Sequence, residues 1–256
     1  MKNLIVVGDS FGANYVNQMN DLAYKGKNKT WNIINEFTTW PELVANKLKL
    51  NLINNSYSSI GNMAIYAIAL DSIVTQKDFK LIVVWSSSNR INFEDPNLNS
   101  TLGTWSKRYD GHFRDGRYNI ELKNMTPPRG NIRSYLRYIY SLQEICKSKN
   151  IDVKMFQSVH PINRKDFNGN PYYTSEEYID MQNDLLNSPY YNKIDKHIFP
   201  DFPGDKFVIS ESKSMTDILK EIGKDNYEKT MISKRDHHPN KYGSEVIADH
   251  ILNSYK

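Results

Sequence analysis

Cysteine is almost absent from this chain. The single one, Cys146, excludes an intrachain disulfide and a cysteine-based metal cluster. It falls inside a helical pattern, where a small buried apolar side chain is the default, and a lone thiol fits a reducing compartment. Long hydrophobic runs are missing too. Nothing approaches the roughly eighteen consecutive apolar residues of a membrane span, so no membrane partner is expected. The first apolar run, Leu4–Val7, is too short for the core of a secretory signal and has no small-residue cleavage site after it. The expected location is therefore the cytoplasm. Charge of one sign is also scarce: 33 Lys and Arg against 29 Asp and Glu leave a net +4. The densest basic stretch, Lys25-Gly26-Lys27-Asn28-Lys29, is short and reads as a solvated loop, which argues against a nucleic-acid partner. There is no internal repeat and no low-complexity tract.

What is present is the composition of a globular chain. Of 256 residues, 39% are hydrophobic and 24% charged, enough apolar surface to bury a core and too much for wholesale disorder. Short apolar runs read as buried strands at Leu4–Val7, Leu50–Asn54, Leu81–Trp85 and Val153–Gln157, with Phe207–Ile209 as a fifth. None alternates cleanly, as expected of parallel strands covered on both faces. Helical patterns lie between them. Pro41–Leu48 opens on proline at a first helical position. Asn62–Val74 is apolar nearly all round and reads as a buried helix. Ile132–Lys149 aligns Ile132, Leu136, Ile139, Leu142 and Cys146 in one stripe, and after Pro239 a last helix gathers Val246, Ile247, His250 and Ile251 on one face.

Strand and helix in alternation predict βαβ crossovers and a three-layer α/β/α sandwich around a mostly parallel, five-stranded sheet of flavodoxin-like plan. Residues 1–256 read as one such domain. Insertions at about 91–130 and 161–205 are expected over the strand ends, and the stretch DGHFRDGRYNIEL in the first of them reads as hairpin material.

In open α/β sheets ligands bind beyond the carboxyl ends of the strands. That rule singles out Gly8-Asp9-Ser10, residues 54–61, Ser86–Arg90 and Ser158-Val159-His160. A serine hydroxyl becomes a nucleophile only when a base takes its proton, usually a histidine held by a carboxylate. Of the six histidines, His238 in RDHHPNKYG has a carboxylate at a telling spacing. Two residues apart in an extended segment, Asp236 and His238 face one way and His237 the other. Asp236 would then hold one ring nitrogen and leave the other for Ser10. Gly8-Asp9-Ser10-Phe11-Gly12 also satisfies G-x-S-x-G, the nucleophile elbow of α/β-hydrolases. That reading is rejected, because the elbow follows a central strand with other strands and an oxyanion loop upstream, and only nine residues precede this serine.

Taken in order, these blocks resemble the SGNH or GDSL hydrolases. Gly8-Asp9-Ser10 is similar to the family's first block, and Gly61 in NSYSSIGN to its second. Ser87-Ser88-Asn89-Arg90 stands at its third, and Asp236-His237-His238-Pro239-Asn240 at its last. In the third block Ser87 replaces the family's glycine and Arg90 its second acid. The resemblance implies a catalytic Ser10, His238 and Asp236. It also implies an oxyanion hole from the Ser10 and Gly61 backbone N–H groups and the Asn89 side chain, with no metal and no cofactor. Asp9, Arg90 and His160 are candidate substrate contacts. The implied activity is that of a serine esterase. The aromatic and basic insertions favour a small-molecule or glycan ester, such as an O-acetylated sugar, over a lipid. The alternative is a non-catalytic carbohydrate-binding or virion structural module that keeps the sheet. A composition rich in Asn, Lys, Ile and Tyr resembles phage-encoded members of the family, which makes a virion-associated location the second expectation. Asp236-His237-His238 also resembles the metal-binding motif of the DHH phosphoesterases, but the further aspartate-rich motifs that those enzymes need are missing.

Overall fold

The computed structural model describes residues 2–14, 36–58, 60–88, 90–93, 103–106, 128–162, 175–202, 213–224, 226–232 and 236–256. The central sheet is built from β1 (Asn3–Gly8), β2 (Asn51–Asn54), β3 (Phe79–Trp85) and β6 (Asp152–Gln157), all parallel, in the order β2-β1-β3-β6. A separate antiparallel pair, β4 (Arg90–Phe93) and β5 (Gly103–Ser106), follows β3. The fifth expected strand, Phe207–Ile209, lies outside the described residues, as does the stretch DGHFRDGRYNIEL. The hairpin among the described residues is β4–β5, upstream of that stretch.

Both faces of the central strands are covered, which is why β1 and most of β3 read as unbroken apolar runs. Side chains alternate across the sheet with period two. Ile5, Val7, Leu81 and Val83 enter one core with α2 (Asn62–Thr75), α3 (Pro128–Ser148) and α4 (Ser175–Leu186). Leu4, Val6, Ile82 and Val84 enter the other with α1 (Trp40–Leu48), α5 (Met215–Gly223) and α6 (Lys241–Asn253). The result is a three-layer α/β/α sandwich. The chain leaves β1 toward β2 on one side and β3 toward β6 on the other, so the β1–β3 junction is the topological switch point, where doubly wound folds open a crevice.

The α3 stripe is wholly interior: Ile132, Leu136, Ile139, Leu142 and Cys146 are each 0% exposed. Each large aliphatic side chain buried in this way contributes about 1.5–3 kcal/mol. Helix α2 departs from expectation. It buries Ala64, Ile65, Ala69 and Ile73, yet Met63 and Val74 are exposed, so only one side of its apolar circumference is covered. Helix α1 begins one residue before Pro41, because Glu42 accepts hydrogen bonds from the backbone N–H (2.6 Å) and hydroxyl (2.8 Å) of Thr39 and so caps the helix there.

The described residues of 175–202 add to the core. Met181, Leu185, Tyr191, Phe199 and Phe202 are buried in the α3 core, and the Met155 N–H donates to the Ile198 carbonyl at 2.7 Å along the outer edge of β6. The aromatic residues of this segment thus fill the core, while the Ile198 carbonyl beside them takes one backbone hydrogen bond along the edge of β6.

Candidate active site

Ser10 lies two residues beyond the end of β1, in a turn fixed from every side. The Gly12 and Ala13 N–H groups donate to the Asp9 carbonyl at 3.0 and 3.2 Å. The Trp40 indole N–H holds the Phe11 carbonyl, and the Asn54 side-chain amide holds the Gly12 carbonyl at 2.8 Å. The turn can start where it does because Gly8 has no side chain: a Cβ there would lie 2.7 Å from Val84 Cβ and 3.0 Å from the Val84 carbonyl oxygen of β3. Ser10 itself is 7% exposed.

Asp236 and His238 approach from the other end of the chain. Residues 230–232 and 238–240 run antiparallel, with Ile232 N–H donating to the His238 carbonyl at 3.0 Å and Asn240 N–H to the Thr230 carbonyl at 3.1 Å. Asn240 then caps α6 by accepting from Gly243 N–H at 2.9 Å. Within this frame Asp236 Oδ1 lies 3.1 Å from the His238 backbone N and 2.7 Å from His238 Nδ1. The two side chains meet through an Asx turn rather than by the alternation of an extended segment. His238 Nε2 lies 2.7 Å from Ser10 Oγ, and the Phe11 ring packs on the imidazole with centroids 4.9 Å apart. Carboxylate, imidazole and hydroxyl therefore form one continuous line, joining residues 228 positions apart in the chain.

The loop after β3 is buried and clamped. Asn62, the first residue of α2, accepts from Ser86 N–H at 2.8 Å and donates to the Ser86 and Ser87 carbonyls at 3.0 and 3.2 Å. Gln157, at the end of β6, donates to the Ser86 carbonyl at 2.9 Å and accepts from the buried Tyr135 hydroxyl. Ser88 donates through both its N–H (3.0 Å) and its hydroxyl (2.6 Å) to the Pro161 carbonyl. Asn89 lies outside the described residues. Gly61 sits immediately before α2, in extended backbone at its N-cap.

The three candidate substrate contacts are placed differently from one another. Asp9 is 0% exposed and faces inward. Its Oδ1 accepts from Phe11 N–H at 3.0 Å, and its Oδ2 meets the Ser158 hydroxyl at 2.8 Å and Arg90 Nη1 at 3.2 Å. Arg90 forms that ion pair through Nη1, and its side chain is 9% exposed. A buried carboxylate must find such partners, because desolvating an unpaired charge is costly. His160 meets its own turn: Nδ1 lies 2.9 Å from the Ile162 carbonyl oxygen and 3.2 Å from Ile162 N, contacts of which each tautomer makes one.

Sequence reasoning passed over Asn62, Gln157 and Trp40, and named Ser158 only as part of a strand-end block. The one available signal was polarity at the end of buried elements, as at Gln157 closing an apolar strand. Among the described residues no group of three or more His, Cys, Asp or Glu is arranged to hold a metal ion, and no helix is long and apolar enough to cross a membrane.

No protein-family model matches the chain, and no curated protein matches it in sequence. Solved structures with a similar path include a protein described as lipolytic, of the G-D-S-L family, from Desulfitobacterium hafniense, with 14% identity, coverage of 99% of both chains and a TM-score of 0.46. A member of the lipolytic G-D-S-L family from Veillonella parvula has 10% identity, with 99% of this chain and 97% of the other covered and a TM-score of 0.47. An acetylxylan esterase from Geobacillus stearothermophilus has 14% identity, with 99% and 93% covered and a TM-score of 0.45.

Proposed function

We propose that this chain is a serine esterase of the SGNH hydrolase type, organised as a single domain. The observation that carries the reading is the line of contacts Asp236 Oδ1–His238 Nδ1 and His238 Nε2–Ser10 Oγ, each 2.7 Å long. With Nδ1–H directed at the carboxylate, Nε2 presents its lone pair to the hydroxyl. His238 takes the Ser10 proton as Oγ attacks an ester carbonyl, and Asp236 stabilises the imidazolium that forms. His238 then returns the proton to the departing alcohol, leaving an acyl-Ser10 ester. A water molecule, deprotonated by the same ring, hydrolyses that ester and frees the acid.

During both steps negative charge gathers on the carbonyl oxygen. The backbone N–H groups of Ser10 and Gly61, the latter at the positive end of α2, are the candidate donors, with the Asn89 side chain as the third. Each such donor is typically worth about 10²–10³ in rate. A glycine at position 61 lets a substrate come close to the backbone. The substrate in this reading is a short-chain acyl ester, with O-acetyl groups on a glycan as the favoured class.

Fluorophosphonate labelling of the full chain tests the proposal. The expected result is one stoichiometric adduct on Ser10, found by peptide mass spectrometry and absent from Ser10→Ala. A folded protein that takes no label, yet binds glycan, would overturn it in favour of a non-catalytic carbohydrate-binding module.

A further inference from the structure

We propose that Arg90 is a positioning residue for this centre: by pairing with Asp9 it fixes the turn that carries Ser10 and the ring that backs His238. The inference rests on the serine-hydrolase reading and assigns a role that the resemblance does not supply, since the family pattern has an acid at this place.

Asp9 stands directly before Ser10, and its carboxylate does local work. Oδ1 accepts from Phe11 N–H at 3.0 Å, which sets the backbone on the far side of the nucleophile. The Phe11 ring in turn packs on the His238 ring at 4.9 Å between centroids. One carboxylate thus orders both the residue that would attack and the surface against which the base rests. It does so from a site with no solvent contact, where an unpaired anion is costly and would draw the turn open. Arg90 Nη1 at 3.2 Å supplies the countercharge, with the Ser158 hydroxyl at 2.8 Å on the same oxygen. A guanidinium suits this place because it stays charged at every working pH.

The pair also matters electrostatically. Negative charge must build on the substrate oxygen close to Ser10, and a lone Asp9 carboxylate one residue away would oppose it. Arg90 cancels that field. An acid at position 90 would instead have set two carboxylates together in a buried site.

Three variants of the full chain decide the matter: Arg90→Met, Arg90→Lys and the double variant Asp9→Asn/Arg90→Met. Hydrolysis of p-nitrophenyl acetate gives kcat and KM, thermal unfolding reports folding, and imidazole ¹⁵N–¹H spectra report the His238 ring without any turnover. Arg90→Met is expected to lower kcat by about 10²-fold, the scale of one lost electrostatic contributor, and to leave KM within about twofold. It should also move the His238 ring resonances. The double variant removes the lone charge while keeping an acceptor for Phe11 N–H, and is expected to regain about tenfold in kcat and return the resonances toward wild type. Arg90→Lys keeps a cation and should stay within about tenfold of wild type.

The proposal is overturned if Arg90→Met changes KM alone, or if the double variant restores neither rate nor resonances. A wild type that neither labels nor turns over, with His238 resonances that still respond in this order, would refute the hydrolase reading and leave the positioning role standing.

Discussion

Replacing Asp236 with asparagine isolates the electrostatic share of the proposed mechanism. Asp236 Oδ1 lies 2.7 Å from His238 Nδ1 and 3.1 Å from the His238 backbone N. When the ring takes the Ser10 proton it becomes a cation beside that carboxylate. With charge centres about 4 Å apart and an effective dielectric constant of about 20, the attraction is about 4 kcal/mol. The side chains are 20% and 23% exposed, and solvent screening lowers this toward about 3 kcal/mol. At about 1.4 kcal/mol per decade, the loss is about 10²–10³ in kcat. Asparagine adds a second loss. Its amide nitrogen, turned toward Nδ1, selects the tautomer that carries hydrogen on Nε2, which cannot accept the serine proton. Together these bring the expected fall to about 10³–10⁴. KM should hardly move, because Asp236 lies behind the ring, away from Ser10. Stability should change by less than about 1 kcal/mol, because asparagine keeps an oxygen that can accept from the His238 backbone N–H. Steady-state hydrolysis of p-nitrophenyl acetate, with thermal unfolding in parallel, measures all three. An Asp236→Asn protein that unfolds at the wild-type temperature and keeps kcat within tenfold would refute the assignment of Asp236 as partner of the base.

Two further outcomes can be checked on the same preparations. A Cβ at position 243 would lie 2.0 Å from the Thr230 carbonyl oxygen, which accepts from Asn240 N–H in the segment that carries His238. Gly243→Ala should therefore cost about 1–3 kcal/mol of stability and lower kcat as well; a variant with wild-type melting temperature and rate would show that this close approach does not hold the histidine. Burial pushes the Cys146 thiol up to about 12. Since the thiolate is the reactive form, a disulfide reagent at pH 8 should release no thiol signal from the native chain and one equivalent in denaturant, and rapid native reaction would contradict the packing of α3.

The sequence carried some of this arrangement openly and hid the rest, for a physical reason. Periodicity reports burial along one element, so the α3 stripe from Ile132 to Cys146 and the apolar runs of β1 and β3 were legible residue by residue. The spacing of Asp236 and His238 was legible too, although the Asx turn that joins them was not, because either backbone conformation brings the two side chains to one side. The clamps around the β3 loop were hidden. Asn62 reads as an ordinary helix-start residue and Gln157 as a strand-end polar group; that both meet Ser86 depends on how three elements converge. The core contribution of residues 175–202 was hidden for a related reason. No regular apolar period marks this segment, and nothing local shows that Tyr191, Phe199 and Phe202 fill a core or that the Ile198 carbonyl meets the edge of β6.

The third block shows what reading motifs one at a time leaves out. Against the family pattern, Arg90 counts as a departure, since a base stands where an acid is expected. The structure joins that position to the first block, 81 residues away, through Arg90 Nη1 and Asp9 Oδ2. Asp9 has no exposed surface, so the identity of residue 90 sets the charge balance beside Ser10. An acid there demands protons or other cations to neutralise the site; arginine neutralises it directly. Ser87, the other departure, is buried in the same loop, with its hydroxyl 3.5 Å from the Pro161 carbonyl oxygen that also receives both donors of Ser88. A departure at a buried position therefore has to be weighed with its partner. An acid-to-base exchange beside an unpartnered site would count against catalysis, whereas the same exchange opposite a buried carboxylate balances charge at the place where the proposed mechanism most needs it.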